Sequence, residues 1–231
     1  MKVLLTFLYL IITLHLQSQI VNANDATGAP IRTSSYDKVE GSPYLNDGNW
    51  SSGTIVTQTD QYLSNLKIRY NAYEDELQYL NKGNPFYYEN QDVKSFEYSI
   101  VDQLGNTERF YFKNGFEHSN KIEKKNFIRV LYDGKFVKAL DKIESRKQMV
   151  TPAAYGESDY EKFITINNTY VWLNGEIIEL GFKKGKLLKL FSSLKGKIQS
   201  YLKENIVDFN NSKDISGLFQ FIDRELEDID S

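Results

Sequence analysis

Between residues 41 and 181, short segments rich in Tyr, Phe, Ile and Val alternate with clusters of Asn, Asp and Gly. That alternation constrains the chain more than any other feature. Side chains of a strand point to opposite faces with period two, so an apolar residue at every second position describes a half-buried strand. Leu66, Ile68 and Tyr70 fall on one face, and Lys67, Arg69 and Asn71 on the other. Leu77 and Tyr79, then Phe86, Tyr87 and Tyr88, then Phe96, Tyr98 and Ile100, then Phe110 to Phe112 extend the pattern. Asn81-Lys82-Gly83-Asn84 and Leu104-Gly105-Asn106 separate these segments. Asp133-Gly134 and Asn174-Gly175 predict two-residue hairpin turns with positive φ at both positions, and Asn167-Asn168 is a third candidate turn. Strands joined this way form an antiparallel meander. Its apolar face needs a cover, so the sheet must curl, form a small sandwich or receive helices.

Helices come last. Leu187, Phe191, Leu194, Ile198 and Tyr201 recur at spacings of three or four, among six lysines between Lys184 and Lys203. Ile215, Leu218, Phe219, Ile222, Leu226 and Ile229 form a second, acidic stripe over about 213–228. Gly196 and Gly217 weaken their helices by about 1 kcal/mol each relative to Ala, which packing must offset. The expected class is α+β, a curled sheet or small sandwich followed by a C-terminal helical pair.

The chain opens with Lys2, an apolar run from Val3 to Leu16, then Ser18 and Ala23. Positive end, apolar middle and small residues at the cut predict a secretory signal peptide, too short for a transmembrane span. The expected layout is a signal peptide over 1–23, a flexible leader over 24–40, a β-rich domain over 41–181 and a helical tail over 182–231. No later stretch is apolar enough to span a bilayer. The sequence contains no cysteine, so an exported core would stand on burial without disulfides, which points to a bacterial source. The net charge of −3 is too mild for a nucleic-acid partner.

Chemistry-bearing motifs are sparse. His118 sits in a polar turn and reads as a solvated loop residue, and Asn46-Asp47-Gly48-Asn49 lacks the alternating acids of a calcium loop. No metal site or cofactor is expected, and no nucleophile elbow, P-loop or dinucleotide fingerprint occurs. Glu74 and Glu76 would share a face if their strand continued, and paired carboxylates are the groups that glycoside hydrolysis needs. Trp50, between turn residues, Arg69 and Asn71 are the candidate binding residues.

Gly41-Ser42-Pro43-Tyr44-Leu45, Leu66 to Asn71, Asp75-Glu76-Leu77, Val130 to Lys135 and the lysine-rich helical end together resemble a group of uncharacterised exported proteins of Gram-negative bacteria. The resemblance implies export and a shared β fold, and transfers no activity or site residue. The expected role is non-enzymatic: a periplasmic, envelope-associated or secreted protein that binds a macromolecule, a protein rather than a glycan. The alternatives are a carbohydrate-active domain using Glu74 and Glu76, and a peripheral membrane protein using the basic amphipathic helix.

Overall fold

The computed structural model describes residues 20–21, 28–31, 36–101, 104–118, 121–152, 158–181 and 183–230. The expected cleavage positions, Ser18 and Ala23, lie outside them. The strands are β1 (Ile20–Val21), β2 (Ala29–Pro30), β3 (Val39–Glu40), β4 (Ser51–Thr57), β5 (Tyr62–Asn71), β6 (Glu76–Asn81), β7 (Asn84–Tyr87), β8 (Val93–Val101), β9 (Thr107–Lys113), β10 (Ile128–Asp133), β11 (Val137–Val150), β12 (Tyr160–Leu173) and β13 (Glu176–Glu179). The helices are α1 (Lys184–Leu190), α2 (Lys195–Glu204) and α3 (Ser212–Asp230).

The fold is α+β, as expected. One open sheet runs in the order β13-β12-β11-β10-β9-β8-β4-β5-β6-β7-β2, with β1 beside β5 and β3 beside β12. From β4 to β13 it is a meander with one departure: after β7 the chain returns to the far side of β4 and continues from β8. The strands β2 and β3 fall within the stretch expected to be a leader and pair with β7 and β12. The sheet also curls. The far half of β11 reaches back to the end of β5, where the Ser145 N–H donates to the Ala72 carbonyl at 2.9 Å.

Two apolar cores share one face. Tyr70, Tyr79, Phe96, Phe112 and Phe127 are buried in the first, joined by Ile143 from β11. The second packs Val137, Ala139 and Val171 of the sheet against Leu187, Phe191, Leu194 and Ile198, and against Ile215, Leu218, Phe219 and Ile222 of α3. Each such side chain contributes about 1.5–3 kcal/mol when fully buried. The basic and acidic helices meet in an ion pair between Lys197 and Glu225. The first stripe is not one continuous helix, because Phe191 adopts φ −103, ψ 54 and a 3₁₀ turn (Ser192–Leu194) separates α1 from α2. The opposite face carries a smaller core of Ile122, Ile128, Leu140 and Tyr170.

Turn chemistry agrees at two places and differs at two. Lys82-Gly83 (φ 50 and 84) and Asn174-Gly175 (φ 52 and 85) both take left-handed conformations and close two-residue hairpins. Asp133 instead pairs with Lys138, leaving a longer loop. Gly134 serves there through close approach: a Cβ would lie 2.6 Å from the Asp223 carboxyl carbon and 2.4 Å from the Tyr132 ring. The Asp223 carboxylate of α3 accepts the N–H groups of Lys135, Phe136 and Val137 at 3.1, 2.8 and 2.9 Å. Asn167 and Asn168 do not turn. They pair with Ile143 and Lys142 inside the unbroken β11–β12 ladder.

Candidate functional site

Arg69 lies on the face of β5 opposite the main core, between buried Ile68 and Tyr70. Its guanidinium is sandwiched by two rings, with the carbon 4.1 Å from the Tyr44 centroid and 4.2 Å from that of Trp50. Trp50 therefore folds back over the sheet. Each Arg69 nitrogen also donates a hydrogen bond: Nε to Gln78 Oε1 at 2.8 Å, Nη1 to the Gly48 carbonyl at 3.3 Å and Nη2 to the Tyr44 hydroxyl at 3.3 Å. The Gly48 carbonyl is supplied by three successive left-handed residues, Asn46, Asp47 and Gly48 (φ 57, 51 and 79). Asn, Asp and Gly tolerate that conformation best. Burial lowers the Arg69 pKa, and the Tyr44 and Glu76 charges oppose it.

The next link is Gln78, directly opposite Arg69 on β6 and 1% exposed. With its Oε1 held by Arg69, its Nε2 donates to Glu76 Oε1 at 2.6 Å. This fixes the Glu76 carboxylate at the wall of a cleft of about 340 Å³, lined also by Tyr36, Tyr44, Glu74 and Tyr87. Burial raises the Glu76 pKa; the Gln78 hydrogen bond opposes that, and the Glu74 and Glu89 charges reinforce it. Glu74 is exposed and accepts the Tyr36 hydroxyl at 3.1 Å.

The sequence expectations for these carboxylates need one correction. The strand does not continue through them: β5 ends at Asn71 and Glu74 lies in the turn before β6. The two meet in the cleft because the turn brings them there. Asn71 shapes that turn. It is 2% exposed, and its Oδ1 accepts the N–H groups of Tyr73 and Glu74 at 3.1 and 3.2 Å. Asp75 pins the turn from the other side, in a left-handed conformation (φ 54). Its carboxylate accepts Tyr70 OH at 2.6 Å, Asn126 Nδ2 at 2.9 Å and the Phe127 N–H at 3.3 Å. Burial still pushes its pKa up to about 6.

Trp50, Arg69, Glu74 and Glu76 thus converge on one place. Tyr44 and Gln78 complete it and were missed. The signal available for Gln78 was register, since a turn closing between Asn71 and Glu76 places it opposite Arg69. His118 lies elsewhere, half-buried with its ring edge against Tyr170 at 5.6 Å, rather than solvated as expected. Among the described residues no group of acids and histidines is arranged to hold a metal, and no helix is long and apolar enough to cross a membrane.

A fixed carboxylate beside an exposed one, between tyrosine rings, offers acceptors for hydroxyl or ammonium donors and flat surfaces for an apolar ring face. No protein-family model, curated protein or solved structure matches this chain.

Proposed function

We propose that this chain is an exported binding protein that holds a hydroxyl-rich glycan in the Glu76 cleft. The observation that carries the reading is the relay from the ring-clamped Arg69 through Gln78 to Glu76. It commits a half-buried charge and a buried amide to orienting one acceptor, which suits recognition of directional donors. Tyr36, Tyr44 and Tyr87 supply ring surface around it. The N-terminal signal pattern supports export. The membrane-surface alternative loses its basis, since Leu187, Phe191 and Leu194 are at most 3% exposed in the helical core.

Glycoside hydrolysis is the second reading, favoured by the contrast between half-buried Glu76 and exposed Glu74. Paired carboxylates in unlike environments are the arrangement of acid and base roles. Calorimetric titration with soluble envelope-glycan fragments, with product analysis, separates the two. Glu76→Gln is expected to weaken binding about tenfold, with no cleavage by either form. Cleavage by the parent chain that Glu76→Gln abolishes while retaining affinity establishes hydrolysis instead. Absence of glycan binding by the parent chain overturns both.

A further inference from the structure

On the other face of the sheet, the two main cores meet at a polar seam. Residues directly opposite on neighbouring strands project to the same side. Arg129 stands between Phe112 of β9 and Asp141 of β11, and Asp141 stands in turn opposite Thr169 of β12. Above the seam is a cavity of about 500 Å³, bounded by the sheet, by Leu45 and by the start of α3 at Ser212 and Ile215.

Arg129 turns away from Asp141. Its guanidinium lies 3.9 Å from the Phe110 ring centroid, and its Nη2 donates to Glu108 Oε1 at 2.6 Å. Ser212 Oγ donates to the same oxygen at 2.6 Å. Burial acts to raise the Glu108 pKa, but the Arg129 and Ser212 hydrogen bonds and the Arg129 and Lys213 charges outweigh it, so the carboxylate is held ionised. Asp141 is left 3% exposed, and its Oδ1 has no hydrogen-bond partner. The Thr169 hydroxyl opposite it, the Ser145 hydroxyl and the Tyr98 hydroxyl, all on this face, are buried without partners as well. Buried polar groups are paired in about nine cases of ten, and a carboxylate is the costliest to leave alone. Of these groups Asp141 lines the cavity, and an unpaired buried carboxylate on the wall of a partly apolar space is what a ligand site presents.

The charges select the ligand. Arg129 and the Lys213 charge both act on Glu108, and β12 contributes only the neutral Thr165 and Asn167 to the cavity wall, so the Asp141 carboxylate is left without an ion partner. Leu131, Ile143 and Ile215 form an apolar flank. We infer that this cavity binds a small organic amine, with its ammonium on Asp141 and its hydrocarbon body against Leu131, Ile143 and Ile215. The site lies on the opposite face of the sheet from the Glu76 cleft and does not depend on the reading given for that cleft.

The test is calorimetric titration of the purified protein at pH 7.5 with n-hexylamine, 1-hexanol and hexanoate, repeated on Asp141→Asn and Glu76→Gln. Asp141→Asn keeps the side-chain volume and removes a buried charge, so a folding defect does not account for lost binding; thermal melts of each variant check this. The expected result is binding of hexylammonium at least about tenfold tighter than of hexanol or hexanoate, lost in Asp141→Asn and unchanged in Glu76→Gln. Equal binding of hexanol, retention by Asp141→Asn, loss in Glu76→Gln, or no binding of hexylammonium each overturns the assignment.

Discussion

Two arginines occupy opposite faces of this sheet, and each lies against an aromatic ring, yet they leave their surroundings in opposite states. Arg69 is clamped between two rings and donates from all three nitrogens. The last link in its chain, Glu76, is an anchored carboxylate at a surface cleft. Arg129 directs its hydrogen bonds to Glu108 and a backbone carbonyl, and the carboxylate beside it, Asp141, is buried without an ion partner. The difference teaches that burying an arginine does not by itself settle the acids around it. What matters is where its planar fork points. On one face Arg69 Nε reaches Gln78 on the neighbouring strand while its fork turns to the Tyr44–Gly48 loop, and on the other the fork swings across Phe110 to Glu108 of β9.

The largest effect is expected from breaking the first cluster. Arg69→Met leaves the Gln78 carbonyl oxygen buried and unpaired and removes two cation–π contacts, costing roughly 3 kcal/mol, read as a lower urea midpoint. The opposite sign is expected on the other face. Burial holds the Asp141 pKa up at about 6, above the ordinary 3.8 of a free aspartate, against the lowering influence of the Arg129 charge. Its ionised form therefore opposes folding at neutral pH, and Asp141→Asn should raise stability by about 2 kcal/mol at pH 7.5.

Stability should also fall as pH rises from about 4 to about 6. Asp75 and Asp141 both have folded values above the unfolded one, so the folded state binds more protons across that window. Urea midpoints at pH 4.5 and 7.5 measure this contribution, and Asp141→Asn should remove about half of it; an equal slope in the variant would contradict the assignment of that proton. The smallest effect is expected from Tyr44→Phe, which keeps the ring over Arg69 and deletes the hydroxyl. A loss below about 1 kcal/mol would locate the strength of the clamp in the rings, and a larger one in the hydrogen bond.

Local features were the readable ones. The Asn174-Gly175 hairpin and the α3 stripe are set by neighbours in sequence; the hairpin stands as read, and the stripe does from Ile215 to Leu226, with Ile229 exposed. The pairing of β8 with β4 depends on a long return of the chain, which no local pattern encodes. Asn167-Asn168 has turn composition, but it sits inside a 14-residue strand whose register with β11 is continuous, and that ladder overrides propensity. Asp133-Gly134 misled for another reason: the glycine is needed for room beside Asp223, not for positive φ. At the Glu76 cleft, residue type singled out Trp50, Arg69 and Asn71 apart from Glu74 and Glu76, without showing that the fold brings them together; Asn71 both lines the cleft and forms its turn. Asp141 stayed hidden because its strand reads Val137, Ala139, Asp141, Ile143 on one face, and one acid in an apolar alternation is silent without knowledge of where the adjacent arginine points.

The carboxylate of Asp223 also sets an order of events. It satisfies three loop amides that precede it by 86 to 88 residues, so the β10–β11 loop cannot be completed until α3 has been synthesised. Until then Val137 and Ala139 lack the part of their cover that Ile215, Leu218, Phe219 and Ile222 provide, and the loop N–H groups are left to water. Closure of so distant a contact is slow compared with hairpin formation. That makes α3 a latch for one corner of the molecule alone: the β10–β11 loop stays open until the helix docks, whereas the aromatic core of β5 to β9 contains no residue of α3.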